Sequence, residues 1–148
     1  MSFKKYLYKI GYPIARTYWF FVRPKTRGVK CIVQHGDQIL LIRNPYTRPG
    51  EWTLPGGGVQ KNETQEQAVI REVEEEVGLK VSDLKFLDEL ITTHQYKQDT
   101  VYCFSAEVAN TDFVLNHNEI EEARWFPRKD LPSTISPFTF RVLQLAKN

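Results

Sequence analysis

The sequence predicts a mixed α/β domain, because strand-like segments lie both before and after one central helix. The helix is expected over residues 64–77, with Gly78 as its C-terminal cap. A length of 148 residues, of which 41% are hydrophobic, fits one ordinary globular domain. We therefore expect that domain over residues 28–148, preceded by a helical arm over residues 1–27.

The N-terminal arm, residues 1–27, is basic and aromatic. Residues 1–36 hold eight Lys or Arg and no Asp or Glu, whereas the rest of the chain holds twelve basic and eighteen acidic residues. Apolar side chains recur in the arm at helical spacing, at Phe3, Leu7, Ile10 and Ile14. The arm is expected to pack on the domain or to build a homodimer interface; peripheral contact with an anionic membrane and binding of RNA are the alternatives. The acidic balance of the remaining chain argues against a nucleic-acid-binding domain.

The other elements follow from apolar and β-branched runs between turn signals. Strands are expected at Val29–Gln34, Gln38–Ile42, Trp52–Leu54, Leu84–Leu90, Thr100–Val108 and Glu122–Phe126, and a final helix at Ser136–Ala146. The first two strands form a hairpin, and the basic stretch Lys25–Lys30 before it is expected to be a linker. The glycine-rich turn Pro55–Gly58 leads towards the central helix.

The two cysteines, Cys31 and Cys103, lie in apolar, strand-like runs. Their spacing matches neither a metal site nor a disulfide framework. Since a free thiol packs as a small hydrophobic group, we expect both side chains to be buried and reduced. Reduced cysteines fit a cytoplasmic location best.

Three glutamates share one face of the central helix. At about 100° per residue, with Glu72 at the origin, Glu75 falls at roughly 300° and Glu76 at roughly 40°. An adjacent apolar stripe is expected to pack on the sheet and consists of Val69, Ile70, Val73 and Val77, whereas Glu74 points to solvent. Carboxylates at this spacing repel one another, so the face is either a solvated acidic surface or a cation site. Oxygen ligands favour Mg²⁺ or Mn²⁺ over zinc.

A longer pattern surrounds these glutamates. It consists of Gly57, five residues, Glu63, seven residues, Arg71–Glu72–Val73, then Glu75–Glu76 and Gly78–Leu79. This resembles the signature box of the Nudix hydrolase family (MutT-like), and every specified position of the box matches at residues 57–79. The resemblance extends to Ile39–Arg43, Trp52–Gly58, Trp125–Pro127 and Asp130–Pro132. It implies an α/β/α sandwich with a mixed β-sheet, to which the N-terminal helical segment is an addition.

The resemblance also implies a role for the box residues. Glu72, Glu75 and Glu76 would bind Mg²⁺ or Mn²⁺, and one of them would take the proton from the attacking water. The backbone carbonyl of Gly57 would be a further metal ligand. Arg71 would orient the catalytic glutamates through charge-assisted hydrogen bonds. Glu63 would support the loop, unless it only places a negative charge at the N-terminus of the helix.

Residues outside the box are also candidates for the site, and most of them have an alternative role. Some family members use a glutamate from a later loop as a metal ligand or base, and Glu119 is the candidate here, with Glu121 and Glu122 as competitors. Arg43 is expected to hold a phosphate or a base, with a surface ion pair as the alternative. Four further residues are expected near the substrate: the side chains of Trp52 and Tyr46, and the backbone of Gly56 and Gly58. The alternative for Trp52 is that it packs under the glycine turn.

The resemblance implies metal-dependent hydrolysis of a diphosphate linkage in a nucleotide or a nucleoside-diphosphate-linked compound, releasing phosphate monoesters. The partner is then a small phosphate-bearing molecule. Two other functions are considered: a non-catalytic Nudix module that binds nucleotides, and a membrane-associated enzyme that acts on a lipid or isoprenoid diphosphate. All box glutamates are present, which argues against the non-catalytic module.

Overall fold

The structure is a computed structural model that describes residues 25–46, 48–94 and 97–147 together with Gly11. Its elements are β1 Lys25–His35, β2 Gln38–Arg43, β3 Trp52–Thr53, α1 Gln65–Val77, β4 Lys85–His94, β5 Lys97–Glu107, β6 Glu122–Pro127 and α2 Pro137–Leu145. Apart from Gly11 and Lys25–Arg27, the N-terminal arm lies outside the described residues. Its helices, homodimer interface, membrane contact and RNA binding therefore stay predictions. The described part of the chain contains no helix of sufficient length and apolarity to cross a membrane.

After residue 27, the expected strands and helices are present, with one correction at the start of the domain. Lys25–Lys30 is not a linker but the first half of β1, because its backbone pairs in parallel with β5 from Lys25 onward. The prediction was wrong because Lys25 and Arg27 are exposed to solvent within the strand, so the stretch has the polar composition of a linker. The predicted hairpin of β1 and β2 is confirmed, with register pairs Gln34–Ile39 and His35–Gln38.

Within the described residues, the strands form a six-stranded mixed sheet in the order β3-β2-β1-β5-β4, with β6 paired to β2. β1 pairs with β2 at its C-terminal end. Along the same edge, nearer the start of β1, runs the turn Pro55–Val59. Cys31 N–H donates to Pro55 O at 3.0 Å, and Val29 N–H donates to Gly57 O at 2.9 Å. The glycine-rich turn before α1 is thus held in register by a strand.

The sheet buries both of its faces, as an α/β/α sandwich requires. Along β2, Leu40 and Ile42 belong to the apolar cluster that contains α1, whereas Ile39 and Leu41 belong to the cluster that contains α2. The predicted sandwich is confirmed. Cys31 and Cys103 are buried free thiols on the two sides of the sheet, as expected.

Helix α1 begins and ends at side chains suited to those positions. The Thr64 hydroxyl accepts the Gln67 N–H, and the Gln67 side chain accepts the Thr64 N–H, so the first turn is capped reciprocally. At the other end Gly78 adopts a left-handed φ of 67°. The apolar stripe is buried as predicted except for Ile70, which is 39% exposed because it lies at the edge of the stripe. Glu74 faces solvent as expected.

Candidate active site

Arg71 on α1 is the centre of the candidate site. Its Nε and Nη2 donate to the two carboxylate oxygens of Glu63, at 2.7 Å and 2.9 Å. Its Nη1 donates to Glu72 Oε1 at 2.7 Å and to Glu75 Oε2 at 3.3 Å. Nη2 also donates to the carbonyl oxygen of Gly58, at 2.9 Å. One guanidinium therefore gathers three of the predicted site glutamates and the glycine turn.

Glu63 connects the loop before α1 to this network. Its carboxylate accepts the Gln60 N–H at 2.8 Å as well as both arginine bonds. The bond from Arg71, and next the bond from Gln60, lower the pKa of Glu63 to about 2. The charge of Glu63 thus ties the loop to the helix.

Glu72 lies directly against the backbone of Gly57. A Cβ atom at position 57 would come within 2.6 Å of the Glu72 carboxylate, so a side chain there would displace the carboxylate from this position. The carbonyl oxygen of Gly57 accepts the Val29 N–H at 2.9 Å. A second lone pair remains on that oxygen, and its role as a metal ligand stays a prediction.

Glu76 is the most deeply buried of the three helix-face carboxylates, at 6% exposure. Its Oε2 accepts the Gly56 N–H at 2.9 Å. Burial raises the pKa of Glu76 to about 7, and the charges of Glu72 and Glu119 add to this effect. Lys30 and the Gly56 N–H act in the opposite direction. Gly56 has a φ of 141°, which is open essentially only to glycine, so the turn that reaches Glu76 requires this residue.

Lys30 is a site residue that the sequence analysis missed. Its Nζ donates to the carbonyl oxygen of Leu54 at 2.8 Å and lies 3.4 Å from that of Gly56. Burial lowers the pKa of Lys30, while the charges of Glu76 and Glu72 oppose this shift. The available signal was a lysine in the middle of an apolar strand, where a charged side chain needs a partner.

The loop between β5 and β6 carries Glu119 to the site. The N–H groups of Val114 and Asn116 donate to the carbonyl oxygens of Val77 and Glu76, at 2.9 Å and 3.1 Å. These bonds satisfy carbonyls at the C-terminal end of α1, which have no partner within the helix. The loop is thereby fixed to the helix, and the charge of Glu119 acts on Glu76.

The two competitors of Glu119 have other surroundings. Glu122 forms ion pairs with Arg43 at 3.2 Å and with Arg124 at 2.8 Å. Glu121 is exposed, and its N–H donates to Arg43 O at 2.9 Å. Of the three glutamates, Glu119 is the one whose charge affects the buried carboxylate of Glu76.

Arg43 and Trp52 pack on each other at the end of β2. The Arg43 guanidinium carbon lies 4.7 Å from the centre of the Trp52 ring. Trp52 is 4% exposed and meets the Phe126 ring edge to face, and its packing under the glycine turn stays a prediction. Arg43 forms the alternative ion pair with Glu122. Contacts of Arg43 and Trp52 with substrate stay predictions.

Tyr46 and Gly58 lie at the borders of the site. The Tyr46 hydroxyl donates to the Asn118 carbonyl oxygen at 3.1 Å and so links the loop after β2 to the loop that carries Glu119. Gly58 forms an isolated bridge with Gly28 on β1. A Cβ atom at position 58 would meet no atom of the described residues within 4 Å.

The donor set of the site suits a hard divalent cation. All candidate ligands offer oxygen, and Gly57 leaves space for the Glu72 carboxylate. Among the described residues, however, no three His, Cys, Asp or Glu side chains are gathered so that they could enclose an ion. Glu72 and Glu75 bind Arg71 instead. The longer contact is that of Glu75, whose side chain is also 52% exposed.

Comparison with known proteins identifies the family of the chain. The sequence model of one protein family, the NUDIX domain, matches residues 24–146. An NAD-capped RNA hydrolase NudC of Pseudomonas aeruginosa is 36% identical over 101 residues, and that of Deinococcus radiodurans is 38% identical over 102 residues. These matches cover 68% and 69% of this chain but only 36% of each relative's length. The crystal structure of a MutT NUDIX hydrolase from Burkholderia pseudomallei superposes with a TM-score of 0.76 and 26% identity, over 82% of this chain and 97% of that one.

Proposed function

Because the chain belongs to the NUDIX domain family, we propose that it is a pyrophosphohydrolase. It splits a diphosphate linkage in a nucleotide or a nucleoside-diphosphate-linked compound and releases phosphate monoesters. The observation that carries the proposal is the network of Arg71, which holds Glu63, Glu72 and Glu75 beside the buried carboxylate of Glu76. A merely solvated acidic helix face would need neither this arginine nor a buried carboxylate.

The proposed cofactor is Mg²⁺ or Mn²⁺. The carboxylates of Glu72, Glu75 and Glu76 would hold it, and Gly57 O and Glu119 are further candidate ligands. When bound, such an ion lowers the pKa of a coordinated water and neutralises charge on the diphosphate.

The chain's own residues then prepare the attack on phosphorus. Arg71 fixes the carboxylates of Glu72 and Glu63 by short bonds of 2.7 Å. Of the three carboxylates that bind Arg71, that of Glu75 is the most exposed and has the longest contact, at 3.3 Å. We assign Glu75 as the group that takes a proton from the attacking water. The oxygen of that water bonds to one phosphorus, and the bridging oxygen leaves with the other phosphate.

Dinucleotides with an internal diphosphate are the first substrate class to test. The two relatives described above are NAD-capped RNA hydrolases, and they share 36% and 38% identity with this chain. Arg43 and Trp52, with the backbone of Gly56 and Gly58, are the proposed substrate contacts. Buried free cysteines agree with the cytoplasmic location that we propose.

The test is product formation from a panel of NADH, ADP-ribose, nucleoside triphosphates, UDP-sugars and an NAD-capped RNA oligonucleotide, with Mg²⁺ or Mn²⁺. Chromatography of the nucleotides identifies the bond that is cleaved. We expect metal-dependent release of a nucleoside monophosphate from at least one dinucleotide. No turnover of any compound, or turnover that Glu75→Gln and Glu76→Gln leave unchanged, would refute the proposal.

A further inference from the structure

Lys30 is a half-buried lysine that the proposed reaction does not use. It lies on β1 between Val29 and Cys31, whose side chains are fully buried in the core. An ammonium group has three N–H donors and no acceptor. Two of them face the turn before α1, towards Leu54 O at 2.8 Å and Gly56 O at 3.4 Å.

The same turn binds the buried glutamate. The N–H of Gly56 donates to Glu76 Oε2 at 2.9 Å, and Glu76 is 6% exposed. Gly56 therefore offers its carbonyl to a cation and its N–H to an anion. A buried charge is costly unless an opposite charge compensates it. Lys30 and Glu76 provide that compensation for each other on the two sides of one turn.

We propose that Lys30 is a positioning residue. Its ammonium group holds the turn Leu54–Gly56 on β1, and the turn in turn holds the carboxylate of Glu76. Lys30 acts on the reaction through this carboxylate and makes no contact with the substrate. The alternative to be separated is that Lys30 binds a phosphate of the substrate directly.

The first experiment is a double-mutant cycle on the metal-free full chain at pH 8.5, with EDTA, by urea unfolding. The variants are Lys30→Met, Glu76→Gln and their combination. Lys30→Met keeps the length of the side chain but removes its charge and donors. It should lower the folding equilibrium constant about tenfold in the parent and less than about threefold in the Glu76→Gln background. Should Lys30→Met not fold, Lys30→Gln replaces it, since it is neutral and still polar.

The matched control is Lys80→Met, because Lys80 is exposed. Its effect should be the same, within error, in both backgrounds. Equal effects of Lys30→Met in the two backgrounds would overturn the proposal, since Lys30 and Glu76 would then not act on each other.

The second experiment is kinetic and rests on the proposed function. With the dinucleotide that the parent cleaves best, Lys30→Met should lower kcat about tenfold and change KM less than about twofold, because only the carboxylate is misplaced. Lys30→Arg should recover at least half of the parent kcat, because it keeps the charge. A raised KM with unchanged kcat would instead identify Lys30 as a substrate ligand and overturn the proposal. If the parent has no activity, the proposed function fails, and the metal-free cycle alone decides on Lys30.

Discussion

The glycine turn before α1 allows a stability prediction at three consecutive positions. In Gly56→Ala the new Cβ atom would lie 2.1 Å from Val29 O and 2.9 Å from Val29 C, and φ is 141°. Both obstacles are backbone, so β1 itself must move. Strain at such a φ costs on the order of 1–3 kcal/mol, and the displaced strand adds to it. We expect a total of about 3 kcal/mol or more, which lowers Tm by about 6–12 °C in a domain of this size.

The two neighbouring glycines are matched controls. In Gly57→Ala the obstacle is the end of the Glu72 side chain, at 2.6 Å, which can turn away. We expect Tm to fall less than about 3 °C while kcat falls sharply, because the carboxylate is displaced. In Gly58→Ala the new Cβ atom would lie more than 4 Å from every residue that the structure describes, so Tm should change by less than about 2 °C. The assays are calorimetry and initial rates; a Gly56→Ala protein as stable as Gly58→Ala would refute the reasoning.

Three further predictions concern charged and thiol groups. The pKa of Glu63 is about 2, below its ordinary 4.5, so its contribution to stability is present above pH 4.5 and is lost as pH falls towards 2. The Tm difference between the parent and Glu63→Gln should therefore shrink over that range; a constant difference would contradict the assignment. Arg71→Lys should lower kcat about 10- to 100-fold because a lysine cannot bind Glu63 with two parallel bonds, whereas the exposed control Arg48→Lys should match the parent in initial rates. Burial raises the pKa of Cys31 and Cys103 to about 12, so a thiol reagent at pH 8 should label them only in denaturant, and rapid labelling of the folded protein would contradict this.

The sequence predicted the elements that depend on local patterns. The helix over residues 64–77 is predicted by its apolar stripe and by the C-cap Gly78, and α1 occupies Gln65–Val77. The hairpin of β1 and β2 followed from two apolar runs about a Gly-containing turn. The grouping of Glu72, Glu75 and Glu76 on one face follows from helical geometry alone.

The features that the sequence could not predict depend on distant pairing. The first half of β1 looked like a linker, because its pairing with β5 lies some 70 residues away and leaves alternate basic side chains exposed. The hydrogen-bond partners of Lys30 come from the turn at Leu54–Gly56, and the opposing charges come from α1, so no local pattern reveals them. The same holds for Asn116, whose backbone N–H binds Glu76 O.

The central claim is that carboxylates on one face of α1 perform diphosphate hydrolysis. Four glutamates of this helix, Glu72, Glu74, Glu75 and Glu76, allow one matched comparison, because Glu74 faces solvent. The most direct measurement is kcat/KM for the best dinucleotide with Mg²⁺, for each glutamate replaced singly by Gln. Glu72→Gln, Glu75→Gln and Glu76→Gln should each lower it about 100-fold or more, and Glu74→Gln less than about twofold. Equal losses in all four variants, or activity retained in the first three, would contradict the claim.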